Sequence, residues 1–240
     1  MTFETFNKKH IIKGEFLTID PIHIGASNND PLDPTAFDNP VLKDQKGNPI
    51  IPGSSIKGVV RSYFEAVLRG IEKEVCNIFE VNDSRCITKS DARDLKKKYK
   101  ENPTELANQL YKKSCVVCQL FGGREVAGKL QFKDSCYIGE QIIYEKRDGV
   151  GIDRNTGAAR RGAKYDFEIV PKGSRFDFYM IAENLDEEQE KYLEFIKRYL
   201  QSGDMSIGGK STRGLGRIKL VKIDDSEKRD IEWLKQQLGM

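Results

Sequence analysis

Ile51–Pro52–Gly53–Ser54–Ser55–Ile56–Lys57–Gly58–Val59–Val60–Arg61 (IPGSSIKGVVR, residues 51–61) is the stretch at which the chain changes period. After Pro52–Gly53, apolar residues fall at Ile56, Val59, Val60, Tyr63, Phe64, Val67 and Leu68, which predicts an amphipathic helix over Ser54–Leu68. Ser54 and Ser55 are natural N-caps for it. Upstream, Val41–Leu42 and Ile50–Ile51 read as short strands joined by a turn at Lys46–Gly47–Asn48, and His10–Ile19 alternates as a half-buried strand does. Between them Gly25–Asn48 is rich in Asn, Asp, Pro and Gly, an irregular segment long enough to suspect of function.

Downstream, strand alternation resumes at Lys129–Ile138 and Gln141–Glu145, and Tyr165–Ile169 and Arg175–Ile181 read as a strand pair turning at Pro171–Lys172–Gly173. Leu185–Leu200 has helical spacing, Arg217–Ile223 reads as a strand, and Ser226–Gln237 is expected to close the chain as a short helix. Strand, helix, strand, strand, helix, strand is the order of an α+β, ferredoxin-like βαββαβ core with insertions. One domain is expected, with its core over about residues 10–69 and 125–223. The stretch from Gly70 to Ser114, extended to about residue 124, is compositionally distinct and reads as an insertion. Residues 146–164 (KRDGVGIDRNTGAARRGAK) are charged and glycine-rich with little to pack, so they should project as a hairpin.

The 240 residues carry 40 Lys+Arg against 37 Asp+Glu, a net charge of +3, so any nucleic-acid footprint must be local rather than global. A hydrophobic fraction of 38% excludes a disordered chain. No apolar run approaches the ~18–20 residues of a membrane span, and Met1–Lys13 is charged where a signal peptide needs apolar residues, so a cytoplasmic location is expected. Five cysteines without a secretion signal favour a metal site or free thiols over disulfides. Cys115 and Cys118 form a C-x-x-C whose short bite suits one tetrahedral ion, and Cys76 and Cys86 complete a candidate four-thiolate zinc site, although nine residues separate that second pair. Cys136 lies in a strand pattern and reads as a small core residue.

Ser206–Arg217 (SIGGKSTRGLGR) imitates a phosphate loop, but the Walker pattern needs Gly at the position of Asp204. What remains is a glycine-rich turn with Gly208, Gly209, Lys210, Ser211 and Arg213, suited either to a phosphodiester backbone or to packing on the core. Asp30, Asp33 and Asp38 follow the first strand, with His23 upstream. Loop carboxylates of this kind suit a divalent ion or proton transfer, whereas Asp-Pro pairs are also ordinary turn chemistry and a lone histidine is ordinary core edge.

Four stretches in this order resemble the RAMP superfamily of CRISPR proteins, specifically the repeated backbone subunit of type III effector complexes. They are His23–Ile24–Gly25; Phe37–Asp38–Asn39–Pro40–Val41 leading to residues 51–61; Leu120–Phe121–Gly122 with Gly128–Asp134 (GKLQFKD); and Gly208–Gly216 (GGKSTRGLG). Ile152–Asp153–Arg154, the basic stretch after it and Tyr165–Glu168 resemble the family's projecting hairpin. The resemblance implies an RNA-recognition-motif fold that polymerises along a CRISPR guide RNA beside other effector subunits. It further implies an endoribonuclease in which the aspartate matching Asp38 cuts complementary target RNA with Mg2+ or Mn2+. By the same match, His23, Ser54, Ser55, Lys57, Arg61, Gly208, Gly209, Lys210, Ser211 and Arg213 would hold RNA, with Arg154, Arg160, Arg161 and Lys164 on the hairpin. Asp30 and Asp33 keep open which carboxylate acts. A non-catalytic guide scaffold and a CRISPR repeat-processing RNase are the alternatives.

Overall fold

The computed structural model describes residues 5–26, 38–79 and 85–240, so Asp30 and Asp33 lie outside the described residues. The chain runs β1 (Lys8–Thr18), β2 (Ile50–Ile51), α1 (Gly53–Gly70), α2 (Lys89–Lys98), α3 (Pro103–Lys113), α4 (Val116–Phe121), β3 (Leu130–Phe132) and β4 (Ser135–Cys136). It continues through β5 (Glu145–Ile152), β6 (Ala159–Ile169), β7 (Arg175–Glu183), α5 (Glu187–Ser202), β8 (Ile218–Asp230) and α6 (Ile231–Leu238). The architecture is mixed α and β with antiparallel sheets, as expected. Among the described residues no helix is long and apolar enough to cross a membrane.

Strands β3, β7, β1 and β8 form one sheet in that spatial order, every neighbouring pair antiparallel. On β7 the alternate residues Phe176, Phe178, Met180 and Ala182 are buried, the period-two pattern of a sheet with one covered face. The cover comes from α1, through Ile56, Val60, Phe64 and Leu68, and from α5, through Leu193, Ile196, Tyr199 and Leu200. Phe16 meets Phe178 edge-on at 4.9 Å within this core. Each such side chain contributes about 1.5–3 kcal/mol by leaving water. At Gly14 the β1–β8 register shifts, and a Cβ there would stand 2.9 Å from Leu220 Cδ1, so glycine is what lets the strands close.

Helix α1 spans the expected run, but its cap differs. Pro52 occupies the N-cap without a side-chain bond, and Gly53 N–H donates instead to Asp134 Oδ1 at 2.8 Å. A carboxylate 81 residues away thus does the work expected of Ser54 and Ser55. Helix α5 carries a capping box, Asp186 with Gln189, and ends at Gly203 in the left-handed conformation.

Several expectations are corrected. The β6 and β7 segments do not pair with each other: β6 pairs with β5 as a two-stranded ribbon, and β7 joins the main sheet. The turn between them is fastened to β1, where Thr18 N–H donates to Ser174 O and Gly173 N–H to Thr18 O. The run Lys129–Ile138 divides, β3 entering the main sheet and β4 pairing with β2. That division turns Cys136 outward, so it is exposed rather than core. Of Gln141–Glu145 only Glu145 is in a strand. The expected closing helix is present but begins at Ile231 rather than Ser226, because Lys8–Ile11 of β1 offers β8 a continuing partner as far as Asp230. The 70–124 segment holds α2, α3 and α4, and Ile87, Ala92 and Leu110 make a small core of their own.

Candidate functional site

Strand β6 organises the site with both of its faces. Asp166 and Glu168 hold the segment that begins at Asp38. Asp38 N–H donates to Asp166 Oδ1 at 3.0 Å, and Asp166 N–H donates to Asp38 Oδ2 at 2.9 Å. Glu168, 2% exposed, accepts Val41 N–H at 3.0 Å and pairs with Lys43 Nζ at 2.7 Å. Asn39 continues this run as a parallel bridge to Phe167. Lys146, on β5, pairs with the other oxygen of Asp166 at 2.5 Å and so holds the Asp166 carboxyl below the usual carboxylate range, aided by the Asp38 N–H. Asp38 itself is exposed. A surface carboxylate of fixed orientation, at the foot of a ribbon and beside a lysine, suits proton transfer or cation binding.

The odd-numbered residues of β6 face the glycine-rich loop. Phe167, Ile169 and Leu215 pack together with Tyr165 beside them. Lys210 Nζ stands 4.4 Å over the Phe167 ring, and Arg213 donates to the Tyr165 hydroxyl. His23 fixes the loop from beneath. It is 4% exposed, its Nδ1 bonds Glu168 O at 2.7 Å, and its own carbonyl accepts Gly209 N–H at 2.9 Å. Burial pushes the His23 pKa down, with the Lys210 charge adding to the shift. Gly208 has φ +83°, and a Cβ there would collide with the His23 carbonyl oxygen. His23 therefore supports the loop from behind, as the core-edge reading has it, while Gly208, Gly209, Ser211 and Arg213 are exposed.

The ribbon carries Arg154, Arg160, Arg161 and Lys164 on its exposed surface. Asp153 closes its tip, accepting Asn155 and Thr156 N–H groups at 2.9 and 3.0 Å. Lys164 pairs with Asp148 at 3.1 Å, a surface ion pair of little energetic weight.

The four expected cysteines come together. The Sγ atoms of Cys76, Cys86, Cys115 and Cys118 all lie within 4.8 Å of one another, with Cys76–Cys118 at 3.4 Å and Cys115–Cys76 at 3.6 Å. Sulfurs bound at ~2.3 Å to one tetrahedral ion are about 3.8 Å apart, so the set fits a zinc ion. Among the described residues it is the group of three or more ligating side chains that could hold a metal. The expected RNA contacts on α1 divide here. Ser54 is exposed and Ser55 half-buried. Arg61 is turned toward the cysteines: Nε donates to Glu65 at 2.8 Å, Nη1 to Gly122 O at 2.7 Å, and Nη2 lies 3.9 Å from Cys118 Sγ. Lys57 is half-buried on the same side, its pKa lowered by burial and by the Arg61 charge.

Asp166 and Glu168 are the residues that sequence reasoning left unassigned. Their partners lie more than 120 residues away, and the signals for them were the resemblance of Tyr165–Glu168 to the family's hairpin and their alternation with Tyr165 and Phe167.

A family model described as the RAMP superfamily matches residues 15–219. The protein named "CRISPR system Cms endoribonuclease Csm3" of Methanothermobacter thermautotrophicus is 27% identical over 244 residues, covering 98% of this chain and 92% of its own length. The protein of the same name from Methanocaldococcus jannaschii is 29% identical over 237 residues, covering 91% and 81%. That of Streptococcus thermophilus is 27% identical over 205 residues, covering 78% and 76%.

Proposed function

The chain belongs to the RAMP superfamily, and from that premise we propose that it is a guide-RNA-binding backbone subunit of a type III CRISPR effector complex that cuts complementary target RNA at Asp38. The carrying observation is the bracket between Asp38 and Asp166, which fixes a surface carboxylate at the foot of a basic ribbon. The relatives' shared designation as endoribonucleases supports the reading.

In this reading the sheet β3-β7-β1-β8 with α1 and α5 is a ferredoxin-like βαββαβ core, elaborated by the 70–124 insertion and the ribbon. Guide RNA lies along the glycine-rich loop, its phosphates near Lys210, Ser211 and Arg213 and the exposed backbone of Gly208 and Gly209. Target RNA paired to the guide meets Arg154, Arg160, Arg161 and Lys164. A nucleotide splayed at the ribbon's foot aligns its 2′-hydroxyl with the adjacent phosphate. Asp38 accepts the 2′-hydroxyl proton as that oxygen attacks phosphorus. The bond to the 5′-oxygen breaks and that oxygen takes a proton from a water, which regains one from Asp38, leaving a 2′,3′-cyclic phosphate, a 5′-hydroxyl and the Asp38 carboxylate restored. Asp38 would hold Mg2+ or Mn2+, which would supply charge neutralisation for the reacting phosphate. Copies of the chain follow one another along the guide in the cytoplasm, together with the other effector subunits.

The deciding experiment is cleavage of a labelled complementary RNA by the assembled complex with magnesium. Regularly spaced cuts that vanish in Asp38→Ala and with chelator, while target binding persists, are the expected result. Uncut RNA despite tight binding would make the chain a scaffold, and cutting that survives Asp38→Ala would turn attention to Asp30 and Asp33.

A further inference from the structure

The resemblance assigns Arg61 to an RNA phosphate, yet its side chain is only 13% exposed and each nitrogen group is spoken for. Nε is bound to Glu65, Nη1 to the Gly122 carbonyl and Nη2 is directed at Cys118 Sγ. Around it lies a cleft of about 700 Å³ whose lining includes Lys57, Arg61, Arg85, Cys76, Cys86 and Cys118. Arg85 also lines the neighbouring cleft, beside Cys115, so it borders the cysteines from both sides, and its Nε is buried without a hydrogen-bond partner. A divalent ion held by four thiolates carries a net charge of −2. Arg61, shared with Glu65, and Arg85 bring guanidinium charge to the cleft the cysteines line, which a centre of that charge requires even with Glu125 at its edge.

We propose that Arg61 and Arg85 are the counter-charges of the four-cysteine metal centre, Arg61 acting as a positioning residue that donates to Cys118 and ties the metal-bearing segment to α1. This rests on reading the four cysteines as a metal site. The N–H···S bond draws electron density from the thiolate, and the guanidinium fork spans the ligand at Cys118 and the Gly122 carbonyl just after α4. The charge of Arg61 then faces metal-bound sulfur rather than RNA.

The test uses the full chain, with zinc affinity measured by competition against a chromogenic chelator and Co2+ as a spectroscopic probe. Arg61→Ala and Arg85→Met should each weaken zinc by about 10-fold or more, the range seen when outer partners of a metal ligand are removed. Arg61→Lys, which keeps charge without the fork and is the milder variant for folding, should fall between Arg61→Ala and the unaltered chain. The thiolate-to-cobalt charge-transfer band should move to lower energy in Arg61→Ala. Unchanged zinc affinity in the Arg61 variants would overturn the proposal, and so would weaker zinc with an unmoved cobalt band, since Arg61 would then act only on folding. Failure of the unaltered chain to bind zinc, or full binding by Cys118→Ser, would instead overturn the metal site and the proposal with it.

Discussion

Asp38 and Asp166 hold each other by reciprocal bonds, each main-chain N–H donating to the other's carboxylate at 3.0 and 2.9 Å across 128 residues of sequence. Neither carboxylate can rotate without breaking a bond to the other residue's backbone. The orientation of Asp38 therefore depends on the strand that begins at the ribbon, and through Asp166 on Lys146 at the ribbon's foot.

Asp38→Ala should abolish target cleavage with target binding retained, a loss of at least ~10²-fold in single-turnover rate for a group acting in proton transfer. Asp166→Ala should slow the same step about 10-fold or more at saturating target. Asp166→Asn, which keeps the acceptor for Asp38 N–H, should recover most of the rate. Equal rates in Asp166→Ala and the unaltered chain would show that the bracket does not govern Asp38.

Gly208→Ala should weaken guide binding more than its chemistry suggests. The left-handed backbone costs a side chain about 1–2 kcal/mol, and the new Cβ would push against the His23 carbonyl that holds Gly209. Lys210→Ala, by comparison, should lower the salt dependence of RNA binding by close to one phosphate contact, a slope change of about 0.7–0.9. Binding isotherms at several salt concentrations separate the two effects.

Glu168→Ala should destabilise the fold by about 1–3 kcal/mol, because Val41 N–H loses its buried acceptor and Lys43 its partner. Glu168→Gln should recover part of this, since an amide oxygen can still accept from Val41. Urea midpoints report the difference.

Stability should fall as pH drops below the ordinary histidine value of about 6.5. Burial lowers the pKa of both His10 and His23 in the folded chain, so the unfolded chain takes up protons first, beginning near 6.5. Their contribution is complete above that pH and is lost progressively until the folded-state values are passed. Paired carboxylates act lower: Asp91, held at about 2 chiefly by Lys113, loses its contribution only as pH falls through about 4 and below. His23→Gln should flatten the upper part of the profile, read from denaturation midpoints across pH.

If the four cysteines hold a metal, removing it should release the small core of Ile87, Ala92 and Leu110 before the main sheet. Hydrogen exchange after chelation should quicken in α2 and α3 and leave β1 and β7 protected. Uniform protection with and without chelator would mean that the segment stands on its own packing.

Where a segment's partners are near in sequence, its structure was legible. Helices α1 and α5 follow from apolar spacing, and the cysteine set from ligand chemistry, although nothing in the spacing of Cys76 and Cys86 places them against Cys115. Pairing over long distance was not legible. Tyr165–Ile169 and Arg175–Ile181 have the pattern of a hairpin, yet β7 is claimed by β1 and β6 by β5, a competition that alternation cannot rank. Asp134 caps α1 ahead of the adjacent serines for the same reason. Arg61 looked like a free cation because arginine at a helix surface carries no mark of which way it will turn.

Since β6 serves the glycine-rich loop with Tyr165 and Phe167 and the Asp38 segment with Asp166 and Glu168, its foot behaves as a reading frame. One residue inserted there would exchange the two faces and disconnect both halves of the site together. The tip beyond Asp153 has no such obligation. The ribbon can thus gain or lose length at its far end, which in the proposed reading would alter how far along a nucleic acid it reaches, while the residues at its base stay in register.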